Sequence, residues 1–287
     1  MNGICALTRN ETELRNSHIY PKFVIEWMKL TGAKYLRSYT SPNKRVQDGY
    51  KVYLLSEEAE QLFSKREKWF AENIFHKYHA SVFNKLEYNE NLFYFSISFL
   101  WRILVLELRK PNIENFWFHE LMVETEKQWR DFLYLGYYPK NFDRIHLILT
   151  DTPIDHSLPS KNVDFFLTRS LDGTTVYDDN NCSIFAKFSK FIFLAFLNDD
   201  ESGMLGTKVN PIQGILQVPQ KFENQHMMCF FSHRIIQYDD MALASENQQK
   251  TILQDIINNK EYYINSEAFK SMEFDYFMKE KNKNNSW

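Results

Sequence analysis

The sequence predicts an α+β protein in which a small N-terminal module, residues 1–72, is joined by a long helix to a larger helical and β-strand body, residues 73–287. Three observations carry this reading. Short runs punctuated by turn residues crowd the N-terminus up to Leu55. Apolar residues then recur at helical spacing through 56–80, 90–109 and 113–135. After Gly136 the texture becomes β-rich and partly alternating, before helix-forming residues resume.

Taken in order, Ile4-Cys5-Ala6-Leu7-Thr8 and Leu54-Leu55-Ser56-Glu57 anchor two hairpin-like knuckles. Lys22 to Leu30 predicts a helix that buries Phe23, Trp27 and Leu30 on one face and stops at Thr31-Gly32. Arg37 to Gly49 predicts a polar, basic loop with a Ser-Pro-Asn turn, and Tyr50 to Leu55 a strand. Ser56, followed by Glu57, Glu58 and Glu60, has the chemistry of an N-cap with first-turn acids that complement the helix dipole. Nothing breaks that helix before Ala80, so no flexible linker is expected. In the body, helices are predicted over about 73–135. Glu90 to Arg109, apolar nearly all round, is the central one, and Ile113 to Leu135 follows the Lys110-Pro111 break as a surface helix. A strand-rich region spans about 143–218, with strands at Arg144–Thr150, Val163–Ser170 and Ser183–Leu197, a turn at Leu171-Asp172-Gly173-Thr174, and a further short strand within Ile212–Val218. A helical tail covers about 223–281 and ends in a frayed Lys/Asn-rich terminus.

Composition narrows the function classes. Hydrophobic residues make up 44% of the 287 positions, enough for a sizeable core, and 25 Phe and 16 Tyr predict an aromatic interior. Cys5, Cys182 and Cys229 are too few and too scattered for a disulfide framework, which suits a reducing cytoplasm. No secretory leader pattern is present, and the run from Leu92 to Leu108 is too short and too polar for a membrane span, so no membrane partner is expected. Charge is uneven: residues 1–70 carry +4 and the remainder −7. Within 15–51, Arg15, Lys22, Lys29, Lys34, Arg37, Lys44, Arg45 and Lys51 face only Glu26 and Asp48. Such a cluster suits phosphate neutralisation, which makes DNA or RNA the expected partner. A solvated face without a partner gives the same charge pattern.

Leu14-Arg15-Asn16-Ser17-His18-Ile19-Tyr20-Pro21-Lys22-Phe23, Gln47-Asp48-Gly49 and Leu54-Leu55-Ser56-Glu57-Glu58-Ala59-Glu60, preceded by Cys5-Ala6-Leu7-Thr8, resemble the HNH (ββα-metal, treble-clef) family. More narrowly, these segments resemble a group of bacterial HNH-like proteins with the pattern Cys-x-x-Cys, Leu-Arg-x-Ser-His-Ile-x-Pro-Lys-Phe, Gln-Asp-Gly and Leu-Leu-Cys-x-x-Cys-Glu. The resemblance covers about the first quarter of the chain. It places Cys5, Thr8, Ser56 and Ala59 at the four zinc positions, so a single thiol remains where a structural zinc needs four Cys or His donors. Structural zinc is therefore not expected, and apolar packing against the body must replace the roughly 10–16 kcal/mol that such a metal contributes to folding. The resemblance implies His18 as the base. Ser17 stands where the family carries an acidic metal ligand, which leaves Asp48 and Glu60 as the carboxylates for a Mg2+ or Mn2+ ion if the protein is active. Arg15, Lys22, Arg37, Lys44, Arg45 and Lys51 are the candidate nucleic-acid contacts.

Three functions follow as expectations: a nucleic-acid-directed bacterial accessory protein or pseudo-nuclease, with a role in phage defence; an active metal-dependent HNH-like endonuclease using His18; or a protein-interaction scaffold with a purely structural module. Weaker constellations have plainer explanations. His76 and His79 lie three apart on a helix, as metal ligands do, but lack a recognisable third ligand. Asp151, Asp155 and His156 read as loop caps, and Asp199, Asp200 and Glu201 as a solvated turn.

Overall fold

The computed structural model describes residues 1–32, 36–38, 41–46, 48–80, 85–150, 162–198, 200–239 and 244–284. It is α+β. The N-terminal region begins with the hairpin β1 (Asn2–Ile4) and β2 (Glu11–Glu13). Strand β3 (Arg15–His18) leads into α1 (Lys22–Leu30). The ribbon β4 (Leu36–Ser38) and β5 (Ser41–Val46) follows, and β6 (Lys51–Leu55) then returns to pair antiparallel with β3. Sequence pattern had suggested a loop over 37–49; the described part of it is instead mostly this ribbon.

Helix α2 (Glu57–Phe70) starts where Ser56 Oγ accepts a hydrogen bond from the Ala59 amide at 3.3 Å. It continues through a π-helical turn, Ala71–Phe75, into α3 (His76–His79), so the helical path crosses residue 72 without a break. Strand β7 (Lys85–Asn89) precedes α4 (Glu90–Glu107), which Asn89 caps through the Asn91 amide. Fourteen of the 18 residues of α4 are buried. A short 3-10 turn, Ile113–Asn115, comes before α5 (His119–Leu135). The single helix expected from 113 is interrupted where Phe118 turns inward, 1% exposed, directly after the exposed Phe116 and Trp117. Gly136, at φ 81°, ends α5 in the left-handed conformation that glycine adopts without strain.

The body is built on a four-stranded antiparallel sheet in the order β8-β11-β10-β9. Its strands are β8 (Ile145–Leu149), β9 (Leu171–Tyr177), β10 (Cys182–Phe188) and β11 (Phe191–Phe196). The segment Val163–Arg169 is a helix, α6, rather than a strand. Its buried Val163, Phe166 and Leu167 recur at the helical i, i+3, i+4 spacing, which outweighs the local β propensity. The expected turn at 171–174 lies inside β9. Gly173 occurs there because Ile103 of α4 comes within 2.7 Å of where a Cβ would stand.

Strands β10 and β11 are buried along their whole length. One face of β11, Phe191, Phe193 and Ala195, joins the core around α2 and α4; the other, Ile192, Leu194 and Phe196, packs with Met227 and Phe231 of α7 (Gln225–Asp239). The period of two is therefore present but hidden, since both faces are apolar. The short strands β12 (Met204–Leu205) and β14 (Lys221–Phe222) pair with each other, and β13 (Gln213–Gln217) pairs with β7. The C-terminal helices are α8 (Glu246–Asn258), α9 (Lys260–Ile264) and α10 (Glu267–Asn284).

One apolar core extends from Cys5 to Leu216. At its centre Phe70 stacks on Phe95 at 4.1 Å and meets Phe188, Phe191 and Phe193 edge-on or tilted. Burying a large side chain of this kind is worth about 1.5–3 kcal/mol. In α1 the buried positions are Val24, Ile25 and Met28, with Phe23 and Trp27 half-buried against Phe75. Leu30 is 74% exposed rather than buried, because the packed face is rotated toward 24 and 28. No helix among the described residues is long and apolar enough to cross a membrane.

Candidate functional site

The four positions singled out around Cys5 converge. The Cys5-Ala6-Leu7-Thr8 turn is closed by Arg9 N–H to Cys5 O and Cys5 N–H to Asn10 O, both 2.9 Å, with Arg9 at φ 62°. Ala6 N–H donates to Leu54 O at 2.9 Å and joins this turn to β6. Cys5 Sγ, fully buried, then accepts the Ser56 amide at 3.2 Å. Burial alone would push the Cys5 thiol up, but hydrogen bonds from the Ser56 and Thr8 side chains and amides bring it below its ordinary value. Ala59 is completely buried beside Ser56. One thiol, two hydroxyls and a methyl do not make a tetrahedral zinc site, and here hydrogen bonds to one sulfur and apolar packing close the corner.

His18 ends β3, opposite Lys51 in register. Its ring hydrogen-bonds to the Asp48 backbone and lies within electrostatic reach of the carboxylates of Asp48 and Glu67. Burial, then Lys51, lowers its pKa below the ordinary histidine value, and these outweigh the two acids, so the ring is neutral at neutral pH. Asp48 is exposed and pairs with Lys51 at 3.1 Å. Glu60 does not join them: it stands two turns before Glu67 on α2, roughly 10 Å along the axis. One of its oxygens is buried with no hydrogen-bond partner among the described residues.

Sequence reasoning missed the group that holds His18 in place. Arg102, 3% exposed on α4, donates from Nη1 to His18 O at 3.1 Å and from Nε to Ser98 O at 3.3 Å, and its Nη2 lies 2.8 Å from Glu67 Oε1. A charged residue inside an otherwise apolar helix was the available signal, since a buried guanidinium needs partners. Among the described residues, the two carboxylates within electrostatic reach of His18 are both engaged, Asp48 by Lys51 and Glu67 by Arg102. No group of three or more His, Cys, Asp or Glu converges on a metal-sized site among the described residues.

The basic candidates divide into two sets. Arg15, Lys22 and Lys51 already carry ion pairs, to Glu57 at 2.7 Å, Glu26 at 3.3 Å and Asp48 at 3.1 Å. Arg37 and Arg45 occupy directly opposed register positions on the β4–β5 ribbon, and Lys44 beside them is exposed. The side chains of Arg37 and Arg45 lie outside the described part of the molecule. So do Asp151, Asp155, His156 and Asp199. Arg9 pairs with Glu126 at 3.0 Å.

Of the remaining histidines, His146 is buried and His79 half-buried, whereas His76 is exposed. His79 packs against Trp27 in a tilted arrangement, ring centres 4.0 Å apart, and its Nε2 meets Ser189 Oγ at 3.0 Å, while burial, followed by Lys190, Arg169 and His76, lowers its pKa to about 3. His146 bridges Thr207 Oγ1 and Glu201 Oε2, each at 2.9 Å, and so ties the turn at Glu201 to β8. Comparison of the chain with protein-family models, with curated proteins and with solved structures finds no match.

Proposed function

We propose that this protein binds nucleic acid through its N-terminal region and does not hydrolyse it. The observation that carries the reading is the β4–β5 ribbon. Its register sets Arg37 against Arg45, with exposed Lys44 adjacent, and the ribbon ends two residues before the Asp48 that neighbours His18. Like charges at opposed positions of a two-stranded ribbon disfavour it, and a polyanion across them removes that cost. The resemblance of the surrounding segments to HNH proteins supports a nucleic-acid target. The engaged carboxylates near His18 support a non-hydrolysing one, with His18 held by Arg102 as part of the scaffold.

The test is binding of labelled DNA and RNA to the full chain across a salt series, with and without Arg37→Ala, Lys44→Ala and Arg45→Ala combined. The expected result is weaker binding by the triple variant and a salt slope reduced by about 1 per lost phosphate contact. Unchanged affinity and slope would remove this surface from consideration. Magnesium- or manganese-dependent cleavage abolished by His18→Ala at unchanged melting temperature would replace the reading with the endonuclease.

A further inference from the structure

A cavity of about 220 Å³ opens between α1, α6 and α10, remote from the ribbon in sequence, and Trp27, Asp164, Arg169, Lys190, Lys270 and Phe274 are among its lining residues. We propose that it binds a phosphate monoester, with Arg169 as the anchor. Arg169 closes α6 and is 5% exposed. Its Nη1 donates to Thr31 Oγ1 at 2.7 Å, its Nη2 to Met28 O at 2.8 Å, and its guanidinium carbon lies 4.7 Å from the Trp27 ring centre. These contacts use two of its five N–H donors, and both acceptors are neutral. Among the described residues no carboxylate forms an ion pair with it. Glu267 acts on this buried guanidinium only electrostatically, without an ion-pair contact, and an entering anion relieves the remaining cost of burying the charge.

The surroundings reinforce the charge. Lys190 and Lys270 line the same cavity; Asp164 and Glu267 also do, leaving +1 among these five groups. Both acids are engaged, Asp164 by the Ser271 hydroxyl and Glu267 by Lys270 at 3.0 Å. Fully buried Lys187, outside this lining, sends its Nζ to Ser189 O at 2.6 Å and Ser170 O at 3.4 Å, and burial lowers its pKa to about 7, so it adds no full charge to the cavity. Burial chiefly, opposed by Glu267 and Tyr262, brings the Arg169 pKa down to about 10, which still leaves it cationic at neutral pH. The chain also makes room for the guanidinium: a Cβ on Gly32 would stand 2.4 Å from Arg169 Nη2.

Ligand class follows from this lining. A fork-shaped donor with two lysines suits a phosphoryl group better than a single carboxylate. Space beside Phe274 and Trp27 takes an organic group, and the acceptors Asp164 and Glu267 suit its hydroxyls. A second cavity of about 420 Å³, lined by Thr31 and Tyr262 among others, also has Glu267 in its wall. A ribose phosphate meets these demands, whether free as a mononucleotide or at the 5′ end of a nucleic acid.

Titration calorimetry on the full chain tests the proposal, using a nucleoside 5′-monophosphate, the matching nucleoside, and a short oligonucleotide with and without a 5′-phosphate. Binding should require the phosphate. It should weaken about tenfold or more in Lys270→Gln, whose exposed position preserves the fold, and in Arg169→Lys, which keeps the charge but loses the fork. It should persist in the Arg37/Lys44/Arg45 triple variant, which separates this site from the ribbon. Binding by the mononucleotide identifies a free metabolite as sufficient, whereas binding by the phosphorylated oligonucleotide alone identifies a nucleic-acid end; either supports the site. Absence of binding by every phosphate monoester, equal binding of the unphosphorylated partners, or undiminished affinity in both single variants overturns it.

Discussion

His79 shows how an interior position sets a residue's chemistry. Seen in sequence beside His76 it resembles half of a metal site, but the fold places Trp27 against its ring and Ser189 at its Nε2. A histidine whose pKa falls to about 3 stays neutral in the folded protein while the unfolded chain takes up a proton near pH 6.5. Between those values the unfolded state binds more protons, so stability decreases as pH falls below about 6.5, by at most about 1.4 kcal/mol per pH unit from this group. Melting temperature should therefore drop as pH is lowered from neutral toward about 4, and His79→Gln should flatten the drop. His146, also depressed by burial, contributes a remainder of the same sign. A variant with an unaltered pH slope would refute the assignment to His79. The His18–Asp48 neighbourhood was legible because both lie within motifs, whereas Glu67 and Arg102 were not. Their partnership depends on α4 crossing α2, which no local pattern encodes.

Among the elements, legibility followed the strength of the local signal. Ser56 with its trailing acids marked the start of α2, and the two-sided apolar character of Glu90–Glu107 marked a central helix. Misreadings arose where one composition serves two structures. Val-Asp-Phe-Phe-Leu-Thr-Arg is rich in β-formers, yet its buried residues keep helical spacing as α6. Leu171-Asp172-Gly173-Thr174 carries a turn signature, but its glycine answers to Ile103 approaching across the sheet face, a tertiary demand. The β4–β5 ribbon escaped notice because polar strands lack the apolar alternation by which strands are recognised.

At the scale of the whole molecule, the N-terminal region depends on the body for its interior. Phe63 packs on Tyr94 and Trp101 at 6.4 and 5.9 Å, and Phe70 on Phe95, all supplied by α4. Arg102 reaches the His18 carbonyl and Arg9 reaches Glu126. With a single thiol at the Cys5 corner, where a structural zinc needs four Cys or His donors, residues 1–72 expressed alone should be unfolded, with no cooperative melting and collapsed amide dispersion by NMR. A dispersed spectrum and a cooperative transition from that fragment would show the region to be autonomous.

The π-helical turn at Ala71–Phe75 has a consequence for how the chain tolerates changes of length. Such a turn holds one residue more than the α-helix it interrupts, so its removal restores regular winding while both flanking faces keep their aim. Elsewhere in Glu57–Phe70 a lost residue rotates everything on one side by about 100°. Deleting exposed Glu72 should thus leave Phe70 and Tyr78 facing inward and cost little melting temperature, whereas deleting equally exposed Lys65 should turn Ala59 and Phe63 out of the core and unfold the protein. Equal damage from the two deletions would mean that the extra residue is itself required. Otherwise this one turn is the place where the helix bridging the two halves of the molecule can shed a residue and keep its register.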